Sequence, residues 1–269
     1  MGNVFGSAPP SSSPPPPPTE GHPKHTSSLT HSDPVMEAHV MSECAPLLEG
    51  SGPEGKWEAV LDDGDRLKVW RRNHPTKPST FEYALRGKSP HPPAVFFSTS
   101  FEDLNFRLKW DESCGDARML SYCPNTNIET VYWVTKYPWP VAERDYVFHR
   151  ILSKNAQEGS FHGVTWVGTD APYKDDKHKS WDLSQLDYDD VNAKAKQANK
   201  HRVRVSEYAT TMLVLPSGDG GAIWALRVLE DPKVSFVPPQ LINWAASKSL
   251  PGSANKLDKA CESRMGTVA

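Results

Sequence analysis

Alternation of apolar and polar side chains dominates the middle of the chain. From Thr130 to Arg150 it reads TVYWVTKYPWPVAERDYVFHR, two runs rich in Val, Tyr and aromatics on either side of Tyr137-Pro138-Trp139-Pro140. Such residues suit a pleated, half-buried surface, and prolines, which lack a ladder donor, belong in the connection. The stretch predicts a β-hairpin with an aromatic-tipped loop. Further strands are expected over residues 57–61, 67–71, 80–85, 118–122, 161–168, 203–215 and 222–229. Between the last two lies Ser217-Gly218-Asp219-Gly220-Gly221, followed by neither Lys-Ser/Thr nor a helical pattern. It reads as a hairpin turn, not a phosphate cradle.

Helical periodicity appears in three places. Ser32-Asp33-Pro34 offers a polar cap and a proline at the first helical position, and Val35, Ala38 and Met41 mark the apolar face of a short helix. Residues 94–109 look helical, with a break near 98–102. After Pro238-Pro239, Leu241, Trp244 and Ala245, flanked by Ile242 and Ala246, give a helix a broad apolar side that Pro251-Gly252 should kink or interrupt. An α+β architecture follows, an antiparallel sheet closing on a long C-terminal helix.

Composition removes the start of the chain from that fold. Residues 7–32 are Pro, Ser, Thr and His with almost no apolar content, which cannot offset chain entropy. We expect a disordered Pro/Ser-rich tail over residues 1–32 and a folded domain over 33–265, with a charged insert at 174–200. Pro14-x-x-Pro17 suits an SH3 or WW groove, a plain spacer being the other reading. The opening Met1-Gly2-Asn3-Val4-Phe5-Gly6-Ser7 approximates a myristoylation signal, whose strict form has Ser or Thr where Gly6 stands. Gly2 is therefore a candidate lipidation site that would tether the protein peripherally to membranes; an arbitrary flexible start is the alternative.

The 30 basic and 33 acidic residues are mixed along the chain, so no basic run grips a phosphate backbone and nucleic acid is not an expected partner. Cys44, Cys114, Cys123 and Cys261 lack CxxC spacing and read as reduced thiols, with no metal site and a cytoplasmic setting. No apolar run approaches the ~18 residues of a membrane span and the opening residues lack a charged-then-apolar pattern, so neither a membrane span nor secretion is expected. A monomer is expected.

The wording of the hairpin carries more than its pattern. WxxKYPxPxxxRDYVxxR, from Trp133 to Arg150, resembles the central hairpin of START lipid-transfer domains. Phe106-Arg107-Leu108-Lys109-Trp110-Asp111 is similar to that family's helix ending in YRxxWD. Arg204-Val205-Ser206-Glu207-Tyr208 and Leu241-Ile242-Asn243-Trp244-Ala245-Ala246 follow in order, the latter close to the family's WLINWAA. Over residues 57–261 the chain is identified as a member, nearest the phosphatidylcholine-binding branch. The resemblance implies a helix-grip fold, a curved antiparallel sheet closed by the C-terminal helix around a cavity for one whole lipid.

In the phosphatidylcholine-binding members an Arg backed by an Asp pairs with the phosphate, and a Trp and two Tyr box the choline. Those positions match Arg107 and Asp111, and Trp133, Tyr146 and Tyr208. Elementary chemistry agrees. A quaternary ammonium has no N–H to donate, so aromatic faces must replace its water, and a buried phosphodiester suits the donor fork of Arg. A lipid too large for any static opening requires a wall to move, so Leu241, Trp244 and Leu250 are expected to form a lid that meets the membrane transiently.

The chain also departs from the family. The insert is longer than the usual connection, and its Asp187, Asp189 and Asp190 lack the Gly and closing Glu of a calcium loop. Glu230-Asp231-Pro232-Lys233-Val234 replaces DxPGG, and Arg227 and Val228 fall where the phosphatidylcholine binder has tyrosines.

The function implied is a carrier that moves phosphatidylcholine between membranes, without cofactor or catalytic residues. A lipid sensor that signals occupancy to a partner of the tail is one alternative. A helix-grip hydrolase or cyclase is another, but no GxSxG or HExxH occurs, and only His149 and His162 stand on strands that could reach the cavity. Removing residues 1–32 should leave a soluble domain that retains lipid in solution; a truncated protein that is insoluble or lipid-free contradicts this.

Overall fold

The computed structural model describes residues 32–49, 52–75, 77–137, 141–168, 202–231 and 250–266. The tail with Gly2 and Pro14–Pro17, the Pro138–Pro140 turn, the insert and the segment with Leu241 and Trp244 lie outside the described residues, as does the side chain of Leu250.

Ten strands among the described residues form one sheet: β1 (Glu58–Asp63), β2 (Leu67–His74), β3 (Lys77–Ser89), β4 (Cys114–Cys123), β5 (Ile128–Thr135), β6 (Arg144–Asn155), β7 (Ser160–Trp166), β8 (Val203–Arg204), β9 (Tyr208–Pro216) and β10 (Ala222–Glu230). Their order is β1-β2-β3-β10-β9-β7-β6-β5-β4, antiparallel throughout, with β8 lying parallel to β6 off that path. Helix α1 (Pro34–Leu48) packs on one face. The other face is covered by α2 (Pro93–Phe97), a π-helical turn (Ser98–Glu102), α3 (Leu104–Trp110) and the C-terminal α4 (Leu250–Gly266). This is the expected α+β helix-grip arrangement.

Strand alternation sorts side chains between the two faces. Ile151, Val164, Trp166, Leu213 and Ala225 pack under α1 with Met36, Val40, Cys44 and Leu47. Their strand neighbours Leu152, Phe161, Met212 and Trp224 pack on the opposite face with Phe96, Phe97, Leu257 and Cys261. Arg264 fastens α4 to the short helices, donating to Ser98 Oγ at 2.9 Å and pairing with Asp103 at 2.5 Å.

Three expectations need correction. The buried face of α1 is Met36, Val40, Cys44 and Leu47, whereas Ala38 is exposed and Met41 is 36% exposed. Asp33 caps the helix as expected, its carboxylate accepting from Met36 N at 3.0 Å, but the residues packed on β7, β9 and β10 recur from Met36, and Val35 only borders that cluster. The run 203–215 is not one strand. Val203 and Val205 donate to the carbonyls of Glu143 and Asp145, both at 3.0 Å, so the chain first pairs with β6 before it crosses to the neighbours of β9.

The third concerns the strand histidines. His149 and His162 face α1, not the cavity, because they alternate with Phe148 and Arg150, which line the cavity, and with Phe161, which packs with α2 on that side. His149 is 1% exposed, its Nδ1 3.0 Å from Thr130 Oγ1 and its ring 5.7 Å from Trp166. Pro251 and Gly252 lie within the described residues of α4.

Burial pushes the His149 imidazole down from 6.5 to about 4. Because the unfolded chain binds this proton at higher pH than the native one, stability falls as pH drops between those values, by on the order of 3 kcal/mol from this group. Urea denaturation at pH 7 and pH 4.5 should show a smaller acid loss for His149→Gln than for wild type; equal losses would show that His149 does not carry it.

Candidate functional site

A cavity of about 300 Å³ lies between the sheet and the layer of α2, the π-helical turn, α3 and α4. Register explains its lining. Trp224, Leu226 and Val228 of β10 point into it, as do Tyr208, Thr210 and Met212 of β9 and Phe148 and Arg150 of β6. Ser253, Ala254 and Leu257 of α4 close the far side. Most of the wall is apolar, with polar groups at a few points, as small-molecule sites are built. A shallower hollow of about 420 Å³ at Lys56, Arg71 and Arg72 is less suited to a ligand, since Glu58 and Glu82 already pair with its guanidiniums.

Arg107 is the cation that α3 brings to the cavity. Asp103 begins that helix by accepting from Phe106 N at 2.9 Å, and Asp111 ends it with extended dihedrals. The expected i,i+4 pair forms across that boundary: Nε and one terminal nitrogen of Arg107 each stand 2.7 Å from Asp111 Oδ2. A second terminal nitrogen donates to the Ser100 carbonyl. Of the five N–H groups of a guanidinium, three are thus occupied and two remain for a ligand.

Asp111 also accepts from Ser113 N at 3.0 Å and Ser113 Oγ at 2.5 Å. Burial opposes ionisation of its carboxyl, but Arg107 and Ser113 outweigh it and hold the group below the usual carboxylate range.

Indoles flank the guanidinium. Arg107 Cζ lies 4.5 Å from the Trp110 ring centre and 5.4 Å from that of Trp133. Trp133 donates from Nε1 to Thr135 Oγ1 at 3.0 Å, so its ring is fixed, with one face shared with Arg107. Tyr208 meets Tyr146 edge-on at 5.2 Å and Phe148 at 5.8 Å. Tyr146 is 4% exposed and donates its hydroxyl to Glu230 Oε1 at 2.5 Å. Arg107, Trp133 and Tyr208 therefore line the cavity, whereas Asp111 and Tyr146 stand behind them as supports. Val228 lines the wall, and Arg227 points to the α1 side, where it pairs with Glu43 at 2.9 Å.

Two groups on this face went unnoticed in the sequence. Arg150 reaches the cavity while pairing with Glu129 at 2.6 Å, and donates to the carbonyls of Phe101 at 2.6 Å and Glu102 at 2.9 Å. It pins the π-helical turn to the sheet. The period-2 pattern through Tyr146, Phe148 and Arg150 was the available signal. The other is Glu230, which the sequence placed in a connection but the structure makes the last residue of β10.

Comparison with known proteins agrees with this geometry. The START-domain family model matches residues 41–171. The chain carries a START domain. Human StAR-related lipid transfer protein 7, mitochondrial, is 24% identical over 239 residues, covering 87% of this chain and 56% of that protein. The chain thus spans about half the length of that relative. Human phosphatidylcholine transfer protein is 22% identical over 228 residues, covering 84% of this chain and 93% of that protein. Among solved structures, human STARD10 superposes with a TM-score of 0.59 at 17% identity, covering 88% of this chain and 82% of that one. Human StAR-related lipid transfer protein 5 does so with 0.56 at 14% identity, covering 86% and 96%. No helix among the described residues of this START domain is long and apolar enough to cross a membrane.

Glu129 and Arg150 are 6% and 3% exposed, so breaking the pair strands a buried charge. Glu129→Leu should cost about 3–5 kcal/mol in urea denaturation. A loss below 1 kcal/mol, the surface-pair scale, would show that the two carbonyls alone hold Arg150.

Proposed function

We propose that this START domain binds one phospholipid, phosphatidylcholine in particular, and carries it between membranes. The observation that supports the reading best is Arg107: a guanidinium held by Asp111, with N–H groups to spare, at the wall of a mainly apolar cavity. Apolar wall suits acyl chains, and a forked cation suits the phosphate between chains and head. Trp133 and Tyr208 beside it offer ring faces to a quaternary ammonium, with Tyr146 supporting Tyr208 from behind. The names of the relatives, a phosphatidylcholine transfer protein and a StAR-related lipid transfer protein, point the same way.

A carrier has to load and unload, and the cavity is at the low end of ligand-pocket volumes of ~300–1,000 Å³. A diacyl lipid requires the wall to move. We assign the movement to the C-terminal segment, with Leu241, Trp244 and Leu250 as its membrane contacts. The helix α4 that follows presents small residues, Ser253 and Ala254, to the cavity, and its polar ties lie on other helices and loops, not on the sheet ladder.

Extraction of lipid from mixed vesicles, read by mass spectrometry, tests the assignment. Arg107→Leu should abolish phospholipid uptake altogether, since every phospholipid presents the phosphate. Tyr208→Ala should weaken phosphatidylcholine by on the order of 1–2 kcal/mol while leaving the remaining lipids less affected. Uptake that survives Arg107→Leu would overturn the phosphate assignment. An equal fall for every headgroup with Tyr208→Ala would reduce the ring to core packing.

A further inference from the structure

The wall of the cavity continues one strand position beyond its lining. On β10, Trp224, Leu226 and Val228 face the cavity, so Glu230 is next on that face. Its cross-strand neighbours are Tyr208 on β9 and Phe81 on β3. Tyr208 itself lines the cavity. Glu230 is surrounded by protein yet keeps partial accessibility, as a side chain at the edge of an internal space does.

A carboxylate in such a place needs a counter-charge. One oxygen, Oε1, accepts from Tyr146. No described Lys, Arg or His stands within ion-pair distance of Glu230. Arg144 acts on it from further off, and Arg144 also lies 5.1 Å from the centre of the Tyr137 ring and donates to the Ala142 carbonyl. Asp231 adds a like charge. Burial accordingly pushes the Glu230 carboxyl up, against the pull of Tyr146 and Arg144. Arg107 and Tyr208 line the same cavity, Glu230 faces Tyr208 across the ladder, and the charges of both Arg107 and Glu230 act on the Tyr208 hydroxyl, so a positive and a negative group lie near that ring.

A positive group and a negative group near one aromatic ring of a cavity wall match a zwitterion. We propose that Glu230 is the counter-charge for the amine of a zwitterionic phospholipid whose phosphate lies on Arg107, and that it admits primary as well as quaternary ammonium heads. The inference rests on the phospholipid reading above. Ring faces alone satisfy a trimethylammonium, but a primary ammonium carries three N–H donors that need acceptors, and Glu230 Oε2 is one. Heads without an amine leave the carboxylate without a matching cation. Glu230 therefore selects zwitterionic over net-anionic phospholipids, while the rings bias the choice among amines.

The test is competitive extraction by the full chain from vesicles of phosphatidylcholine, phosphatidylethanolamine and phosphatidylglycerol. Wild type should take the first two over the third. Glu230→Gln should lower phosphatidylethanolamine relative to phosphatidylglycerol by about tenfold, the scale of one hydrogen bond to a charged group, and phosphatidylcholine by less; Glu230→Asp should recover part of the loss. Unchanged ratios in Glu230→Gln would overturn the inference while leaving the phospholipid reading intact, whereas a wild type that extracts no phospholipid overturns both. Should Glu230→Gln not fold, Tyr146→Phe decides. It keeps the ring and the charge but frees Oε1, and should raise phosphatidylethanolamine relative to phosphatidylcholine; a constant ratio rejects the role of the carboxylate.

Discussion

The bond on which this architecture turns is the fork between Arg107 and Asp111. A guanidinium facing an apolar cavity is costly unless its charge is matched and its donors are occupied. Asp111 supplies the charge from the first residue past α3, and Ser113 fixes that carboxylate in turn. The Ser100 carbonyl, released by the π-helical turn, takes a further donor. What remains is a cation already paid for electrostatically, with free N–H groups directed by two indoles. An anion entering the cavity joins a prepared site and does not have to build one.

That site depends on a sheet with two different faces. Under α1 the histidines and the Glu37–Ser153 contact at 2.5 Å are closed to solvent. The opposite face encloses the mainly apolar cavity, with Arg107 and Arg150 at its wall. Arg150 ties the π-helical turn to this face through two carbonyls, which in turn sets where Ser100 and α3 lie relative to β5 and β6. Position of Arg107 at the cavity and stability of the sheet are therefore one problem, solved by two Arg–carboxylate pairs.

Much of this was legible in the sequence, for physical reasons. Proline placement and period-2 alternation marked the hairpin that became β5 and β6, and spacing alone put Arg107 and Asp111 within reach of each other. Three features were hidden. The buried face of α1 is decided by the sheet it packs on, so Met36 and Val40 displaced Ala38 and Met41. The 203–215 run serves two neighbours, and only tertiary pairing shows where it divides. Glu230 resembles a loop residue in any local window; its meaning comes from Tyr208 across the ladder and from Tyr146, 84 positions away.

Native mass spectrometry of the full chain purified from a eukaryotic host tests the central claim most directly, because it reports what the cavity holds without any assay of transfer. The account predicts a population carrying one zwitterionic phospholipid per chain, released as an intact lipid and dominated by phosphatidylcholine. A chain that emerges empty after gentle purification, or that carries a neutral sterol with no phosphate for Arg107 to meet, would contradict it.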